Sequence, residues 1–176
     1  MAAPHYSVWL VPQEPDLTYF QGVINTLSSR FGTAPFCPHV TLYSGPIGAA
    51  ENVQHMCAAL TAAESLELEI VGLAYGTQFS KTLYVQLQPS PALLQLFKQL
   101  VAAIPNAPQP VLDPHISLLY HRLAATAKQA LVDTIVLPRL AVQFNQIQVI
   151  AAPENFETQE HVISLRCVHR QVLKQS

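Results

Sequence analysis

Two short segments of the sequence decide the fold: PHVTLY at residues 38–43 and PHISLLY at residues 114–120. Each begins at a proline and then alternates polar with aliphatic side chains, which is the pattern of a β-strand with one buried face. Since residues i and i+2 of a strand point to the same side, each segment presents its histidine and its hydroxyl residue together. The aliphatic residue between them turns to the opposite side, toward a core.

The sequence around the two segments falls into halves of similar outline. Apolar periodicity and turn residues predict strands at 6–11, 39–43, 66–75, 82–87, 116–120, 141–151 and 161–168, and helices at 16–30, 49–61, 93–104 and 126–135. We therefore expect one domain over residues 1–176 with a bilobal α+β fold, in which two pseudo-symmetric lobes arise by duplication. Each lobe would be an antiparallel sheet flanked by helices, and the two histidine motifs would meet in a central cleft.

Composition limits the partners of the chain. Apolar residues make up 50% and charged residues 11% of the 176 residues, and the formal net charge is -2. The nine Lys and Arg residues are scattered, so we expect a small phosphorylated substrate rather than long nucleic acid. No stretch reaches the roughly 20 apolar residues of a membrane-spanning helix, and the N-terminus lacks the pattern of a signal peptide. We therefore expect a cytoplasmic monomer without a membrane partner.

Three cysteines are spread along the chain, at Cys37, Cys57 and Cys167. They form neither a CxxC pair nor a zinc-binding pattern. We interpret them as small hydrophobic residues of the interior, with a disulfide or redox latch between Cys57 and Cys167 as the alternative.

The two motifs supply two imidazoles and two hydroxyls around one point if their strands lie close together. One neutral imidazole, of His39 or His115, can take a proton from water, while the other, protonated, gives one to a departing oxygen. The hydroxyls of Thr41 and Ser117 can donate to the non-bridging oxygens of a phosphate. This set cleaves a phosphodiester, most readily a strained cyclic one, without a metal or another cofactor. We favour His115 as the base and His39 as the acid, although the sequence does not decide which is which.

His55, His161 and His169 carry no comparable pattern, whereas the segment Pro4-His5-Tyr6-Ser7-Val8 fits the same short pattern. We interpret His5 as incidental, because it lies near the N-terminus, where fraying is expected, and lacks the Leu-Tyr continuation.

The paired motifs resemble the signature of the 2H phosphoesterase superfamily. The similarity is to its cyclic phosphodiesterase branch, known from plants and yeast, and it extends over nearly the whole chain, including YSVWLVP at residues 6–12. It implies a bilobal fold with a central cleft and metal-independent hydrolysis of ADP-ribose cyclic phosphate and nucleoside 2',3'-cyclic phosphates, usually to the 2'-phosphate. It also implies that His39 and His115 are the catalytic pair and that Thr41 and Ser117 bind the phosphate.

The resemblance further implies roles for two aromatic residues. Trp9 matches a cleft-side aromatic of the first strand, and Tyr120 matches a tyrosine near the phosphate. Related plant proteins commonly have Gly where this chain has His121, so the rim beside Tyr120 is expected to differ. From the residues alone, Trp9 is either a core residue or a wall on which a base stacks. Tyr43 is either a cleft residue or a packing residue.

Charged and polar residues near the motifs are weaker candidates. Asp113, two residues before His115, can orient the imidazole as carboxylates do in catalytic triads, although a residue before proline is more often a turn residue. Lys81, His121 and Arg122 are predicted to be solvated surface groups, with substrate contact as the alternative.

Two other functions stay open. RNA-end processing, as in the 2'-5' RNA ligase branch of the same superfamily, is disfavoured by the low positive charge of the chain. A non-catalytic nucleotide-binding module would keep the cleft without turnover. A metal-dependent hydrolase fits poorly, because the sequence has no clustered set of His, Asp and Glu ligands.

Overall fold

The computed structural model describes residues 4–48, 50–107 and 110–175, so Ala49, the predicted start of the second helix, lies outside the described residues. The strands within them are β1 His5–Pro12, β2 Val40–Pro46, β3 Leu66–Tyr75, β4 Leu83–Leu87, β5 His115–Leu119, β6 Ala141–Ala151 and β7 Arg166–Val172. The α-helices are α1 Asp16–Phe31, α2 Ala50–Ala59, α3 Pro91–Ala102, α4 Ala125–Val132 and α5 Gln159–Ser164, and a 3₁₀ turn spans Phe79–Lys81. None of the helices in this part of the chain is long and apolar enough to span a membrane.

Strands β3 and β6 have the bounds predicted from the sequence, whereas the prediction of one strand over 161–168 is wrong. Its first residues belong to α5, and β7 begins only at Arg166. Thr158 is the N-cap of α5, and its hydroxyl accepts a hydrogen bond from the backbone N–H of His161 at 3.4 Å. This cap supports a short helix where the apolar residues alone favour a strand.

All strand pairs of the sheet are antiparallel, which confirms the α+β class. One lobe contains β2, β1, β6 and β7, in that order. The other contains β3, β4 and β5, and the first residues of β3 also pair with β6. The two lobes do not coincide with the two halves of the sequence, because β6 and β7 return from the end of the chain to the lobe of β1.

Helix α1 ties the two lobes together. Phe20, Ile24 and Leu27 recur at helical spacing and are buried, and each such side chain stabilises the fold by roughly 1.5–3 kcal/mol. The helix follows β1 in the sequence but lies against β5, the strand of the second motif. Gly32 ends it with φ of 64°, a left-handed conformation that glycine adopts without strain. The lobes are thus held at the separation that forms the cleft.

The three cysteines are free in the structure. Cys57 is buried, as predicted, whereas Cys37 is half-buried and Cys167 is exposed. Cys37 and Cys167 line one cavity behind Trp9, and Cys57 lines a different one. The structure therefore places Cys167 beside Cys37, which is not the pair considered from the sequence.

Candidate active site

The structure brings both motifs to one cleft between the lobes. His39 directly precedes β2, and His115 is the first residue of β5. Both imidazoles line the cleft together with Thr41 and Ser117, the hydroxyl residues two positions further along. The four polar groups that the sequence singles out are therefore assembled around one space.

A β-bulge at the same point of each motif decides which later side chains face the cleft. Leu42 is the extra residue of β2 where its register with β1 shifts, and Leu118 is the extra residue of β5 where its register with β4 shifts. A bulge leaves one residue unpaired and so turns the following side chains to the other face. The cleft face therefore continues at Ser44 and at Tyr120, both of which line the cleft.

Tyr43 lies on the core side of β2. Strict alternation from His39 would place Tyr43 in the cleft, but the bulge turns it into the core, where it is 1% exposed. Its hydroxyl donates to the carbonyl of Pro46 at 2.8 Å. Of the two roles considered for Tyr43, the structure shows packing, and its prediction as a substrate-binding residue is wrong.

His39 is the more deeply buried of the two histidines. The residue is 5% exposed, and its ring stacks on Trp9 with centroids 3.6 Å apart and planes 5° apart. Its Nδ1 lies 2.7 Å from the carbonyl oxygen of Cys37. Because a carbonyl only accepts, Nδ1 carries the proton and Nε2 is left for chemistry. The hydroxyl of Tyr120 lies 3.4 Å from that Nε2.

Trp9 stacks on the side chain of His39 at the edge of the cleft. Of the two roles weighed from the sequence, the structure shows a residue that is 5% exposed, as in a core, and that also lines the cleft. One face of its indole is covered by His39, and its Nε1–H donates to the hydroxyl of Ser7 at 2.7 Å. This arrangement fixes the orientation of the imidazole.

His115 is held in the same way but in polar surroundings. Its Nδ1 lies 2.7 Å from the carbonyl oxygen of Asp113, and its side chain is 20% exposed. The carboxylate of Asp113 is 3.7 Å from Nδ1, too far for a hydrogen bond, and instead pairs with Lys81 and accepts from Gln86. The backbone of Asp113 therefore orients the ring, and the triad-like role of its carboxylate is wrong. Tyr84 meets the imidazole edge-on, with centroids 5.4 Å apart.

The surroundings shift the pKa of each imidazole. Burial lowers the pKa of His39 to about 3, because the hydrogen bond to Cys37 offsets only part of the lost hydration and the nearby His115 opposes a second charge. Burial also lowers the pKa of His115. There the carbonyl of Asp113 raises the pKa, the charge of Lys81 lowers it and the carboxylate of Asp113 raises it. Both imidazoles are therefore neutral at pH 7 in the free protein.

Three hydroxyls surround the imidazoles. That of Ser117 donates to the carbonyl of Ser80 at 2.7 Å, whereas that of Thr41 has no hydrogen bond within the described residues. Burial raises the pKa of Tyr120, whose ring stacks on Phe36 with centroids 3.7 Å apart. Tyr120 therefore stays a neutral hydroxyl at the edge of the cleft.

The cleft has a volume of about 250 Å³. Besides the residues above, it is lined by Ser7, Gln78, Ser80, Lys81, Ala152, Pro153, Glu154, Phe156 and Leu165. The residues after β6 have no periodic pattern, so sequence reasoning did not find Glu154 or Phe156. Within the described ranges, no group of three or more His, Cys, Asp or Glu side chains is placed to hold a metal ion.

Of the three residues predicted to be solvated surface groups, one lies in the cleft. Lys81 lines the cleft, with a side chain 17% exposed and paired with Asp113, so its prediction as a solvated group is wrong. Arg122 is exposed beside Glu157, with 3.4 Å between the charged groups, and lies outside the cleft lining, as does His121.

His5 belongs to a strand rather than to a frayed end, although it is not among the residues that line the cleft. It is the first residue of β1, and its Nε2 lies 3.1 Å from the hydroxyl of Ser44. Ser7, two residues on, lines the cleft. In the sequence, the spacing of two residues between His5 and Ser7 is the signal that could have placed both on the cleft side of β1.

The family follows from a match over most of the chain. Residues 4–169 match the model of the family described as "Cyclic phosphodiesterase-like protein". The chain belongs to this family of 2H phosphoesterases. The protein is thus a phosphodiesterase, as the paired motifs predicted. A cyclic phosphodiesterase of Arabidopsis thaliana is 26% identical over 125 residues, which cover 70% of this chain and 69% of that protein.

Solved structures share the fold at lower identity. Escherichia coli LigT in its apo form aligns over 99% of this chain and 100% of its own, with a TM-score of 0.62 and 16% identity. Kluyveromyces marxianus Usb1 aligns over 95% of this chain and 98% of its own, with a TM-score of 0.54 and 12% identity. These similarities confirm the two-lobed α+β fold that the duplicated motifs predicted.

Proposed function

We propose that this phosphodiesterase hydrolyses small cyclic phosphodiesters through His39 and His115, without a metal or another cofactor. The substrates are nucleoside 2',3'-cyclic phosphates, ADP-ribose 1'',2''-cyclic phosphate, or both. The matched tethering of the two imidazoles carries this proposal, because each Nδ1 lies 2.7 Å from the carbonyl two residues upstream. Each Nε2 is thereby left for proton transfer beside the same cleft.

In the proposed reaction, one imidazole takes a proton from water as the water oxygen bonds to phosphorus. The bond from phosphorus to one ring oxygen breaks, and that oxygen takes a proton from the second imidazole. Cleavage of the bond to the 3'-oxygen of a 2',3'-cyclic phosphate yields the 2'-monophosphate. The two histidines exchange protonation states in the cycle, and solvent resets them.

The surroundings favour His39 as the base and His115 as the acid, the reverse of the assignment favoured from the sequence. The negative charge of a bound phosphate raises the pKa of both imidazoles. His115 is the more exposed of the two, so it takes up the proton first, even though the charge of Lys81 opposes this protonation and offsets the carboxylate of Asp113 at 3.7 Å. His39, stacked on Trp9 and almost fully buried, stays neutral. It can then accept the proton of water.

The hydroxyls of Thr41 and Ser117 are proposed to bind the non-bridging phosphate oxygens. That of Thr41 is free to donate, whereas that of Ser117 must turn away from the carbonyl of Ser80. Tyr120 supplies a third neutral donor near Nε2 of His39. Donors fixed on strands need little reorganisation when charge develops on the phosphate.

A small nucleotide suits this cleft better than long RNA. Apart from the histidines, Lys81 and Glu154 are the charged residues of its lining, and Lys81 is already paired with Asp113. Long RNA would need several free cations to replace its counterions. LigT structures that share the fold contain 3'-AMP, NADP+ or ATP. These ligands support a nucleotide of similar size here.

The test is turnover of the four nucleoside 2',3'-cyclic phosphates and ADP-ribose cyclic phosphate in EDTA, with the product isomer identified by phosphorus NMR. We expect the 2'-phosphate from each nucleoside cyclic phosphate and a monophosphate ester from ADP-ribose cyclic phosphate, at the same rate with and without EDTA. Activity abolished by EDTA would contradict metal independence. Binding of all five compounds without turnover at high protein concentration would favour a nucleotide-binding module. Tight tRNA binding that weakens steeply with salt would favour RNA-end processing.

A further inference from the structure

The cleft extends beyond the catalytic pair along β1. Ser7 and Trp9 line it, and His5 continues the same face of the strand with its ring against Ser44. At about 3.3 Å per residue, His5 lies roughly 13 Å along the strand from Trp9. Because Trp9 stacks on His39, this face starts at the reacting centre and leads away from it.

The loop after β6 closes the far end of this face. The backbone N–H of Ala152 donates to the carbonyl of His5 at 3.1 Å, which ties the loop to β1. Two residues on, Glu154 lines the cleft and is exposed. Burial lowers the pKa of His5, and the charge of Glu154 raises it. No ion pair within the described residues involves the carboxylate of Glu154.

We propose that Glu154, with Ser44 and His5, forms a nucleobase subsite that prefers guanine. The inference rests on the proposed function, since it places the phosphate between the two catalytic imidazoles and the base toward His5. It assigns a specificity role to residues that take no part in the proton transfers.

Guanine is the base whose edge matches this set of groups. Its N1–H and N2–H₂ are adjacent donors, and a carboxylate offers two acceptor oxygens at matching spacing. The hydroxyl of Ser44 and the ring of His5 hydrogen-bond to each other, and the pair leaves one O–H or N–H to donate to the O6 acceptor. Uracil offers one N–H between two carbonyl acceptors, so a carboxylate would face at least one lone pair that it repels. Cytosine and adenine each offer one amino group and fall between these cases.

The part of the cleft lined by Gln78 and Lys81 has different chemistry. Gln78 directly precedes the 3₁₀ turn between β3 and β4, Lys81 ends it, and Lys81 is held by Asp113. A cation and an amide suit phosphate or ribose oxygens better than the donor edge of a base. The base is therefore assigned to the end that carries a carboxylate.

The decisive experiment compares kcat/KM for 2',3'-cyclic GMP and 2',3'-cyclic UMP in the wild type and in Glu154→Gln. We expect the wild type to prefer the guanine substrate. The glutamine amide presents one acceptor and one donor, so it should lower kcat/KM for guanine by about tenfold, mainly through KM, and raise it for uracil. The matched control is Glu157→Gln, because Glu157 is an exposed residue of the same loop that faces Arg122 outside the cleft. This control should leave both values unchanged.

Calorimetric binding of 2'-GMP and 2'-UMP makes the same comparison without turnover. If the wild type hydrolyses all four cyclic nucleotides and Glu154→Gln keeps the wild-type guanine-to-uracil ratio, the base subsite is overturned while the hydrolytic function stands. If neither a cyclic nucleotide nor ADP-ribose cyclic phosphate is hydrolysed, the hydrolytic function fails. Binding then decides the subsite separately, since an unchanged preference for 2'-GMP in Glu154→Gln would overturn it and a lost preference would support it.

Discussion

Strands β2 and β5 share a bulge at the equivalent leucine and a hydroxyl residue at the same position. In both motifs, Nδ1 of the histidine also hydrogen-bonds to the carbonyl oxygen two residues upstream. Their imidazoles nevertheless have different surroundings. His39 stacks flat on Trp9 and is 5% exposed. His115 meets Tyr84 edge-on, is 20% exposed and lies beside the ion pair of Lys81 and Asp113.

This comparison shows how one repeated backbone can produce two different acid–base groups. The tether and the strand fix the position and tautomer of each ring, so both can use Nε2. Burial and neighbouring charges then set how readily each ring takes a proton. In the proposed mechanism, a duplicated motif thereby supplies a base and an acid without any change in its backbone.

The largest expected effect comes from removing either imidazole. His39→Ala and His115→Ala should each lower kcat for the cyclic substrate by about 10²–10⁴-fold, because each loses one of the two proton transfers. The measurement is steady-state turnover, with thermal unfolding to show that the fold is kept. His55→Ala is the matched control, since His55 is exposed on α2 and lies outside the cleft lining. Wild-type turnover in either active-site variant would remove that imidazole from the mechanism.

A second prediction concerns stability as a function of pH. The pKa of His39 is about 3 in the folded protein and 6.5 in its ordinary state, so the unfolded chain takes up this proton first as the pH falls. The free energy of unfolding should therefore fall between pH 6.5 and pH 3, with a slope from this group approaching about 1.4 kcal/mol per pH unit. Urea unfolding at several pH values measures that slope.

His39→Gln should flatten this dependence, because glutamine does not titrate. His115→Gln should flatten it less, since His115 is more exposed and its imidazole takes up a proton at a smaller cost. Equal slopes in the wild type and His39→Gln would show that burial of His39 does not govern the acid sensitivity of the fold.

The sequence predicted the part of this comparison that depends on local geometry. Spacing of two along a strand was enough to place His39 with Thr41 and His115 with Ser117 on one face each. The same rule failed one residue later, because a bulge at Leu42 is set by pairing with β1 and leaves no mark in the alternation. Tyr43 was therefore expected to face the cleft as an alternative to packing.

The unequal surroundings of the two histidines could not be read from the motifs. The ion pair of Lys81 and Asp113 joins residues 32 positions apart, and the contact of Tyr120 with His39 joins residues 81 positions apart. Glu154 and Phe156 lie on a loop that follows β6, where no periodicity indicates which side chains point inward. Such contacts depend on how the lobes pack, which the hydrophobic pattern of one segment does not encode.

The assignment of His115 as the acid gives the smallest of these effects and the sharpest test of the difference between the motifs. A general acid matters only when the departing oxygen needs a proton, and 4-nitrophenolate leaves readily without one. With a nucleoside 4-nitrophenyl phosphodiester, the defect of His115→Ala should therefore shrink by at least about tenfold relative to the cyclic substrate. The defect of His39→Ala should persist, because water must still lose a proton. Turnover of the two substrates is measured by nitrophenolate absorbance and phosphorus NMR. The ratio of the two turnover rates in each variant distinguishes loss of the general acid from general damage to the active site. If the defect of His39→Ala shrinks instead, the roles are reversed, and the carboxylate of Asp113 and the burial of His39 do not set the order in which the imidazoles take up a proton.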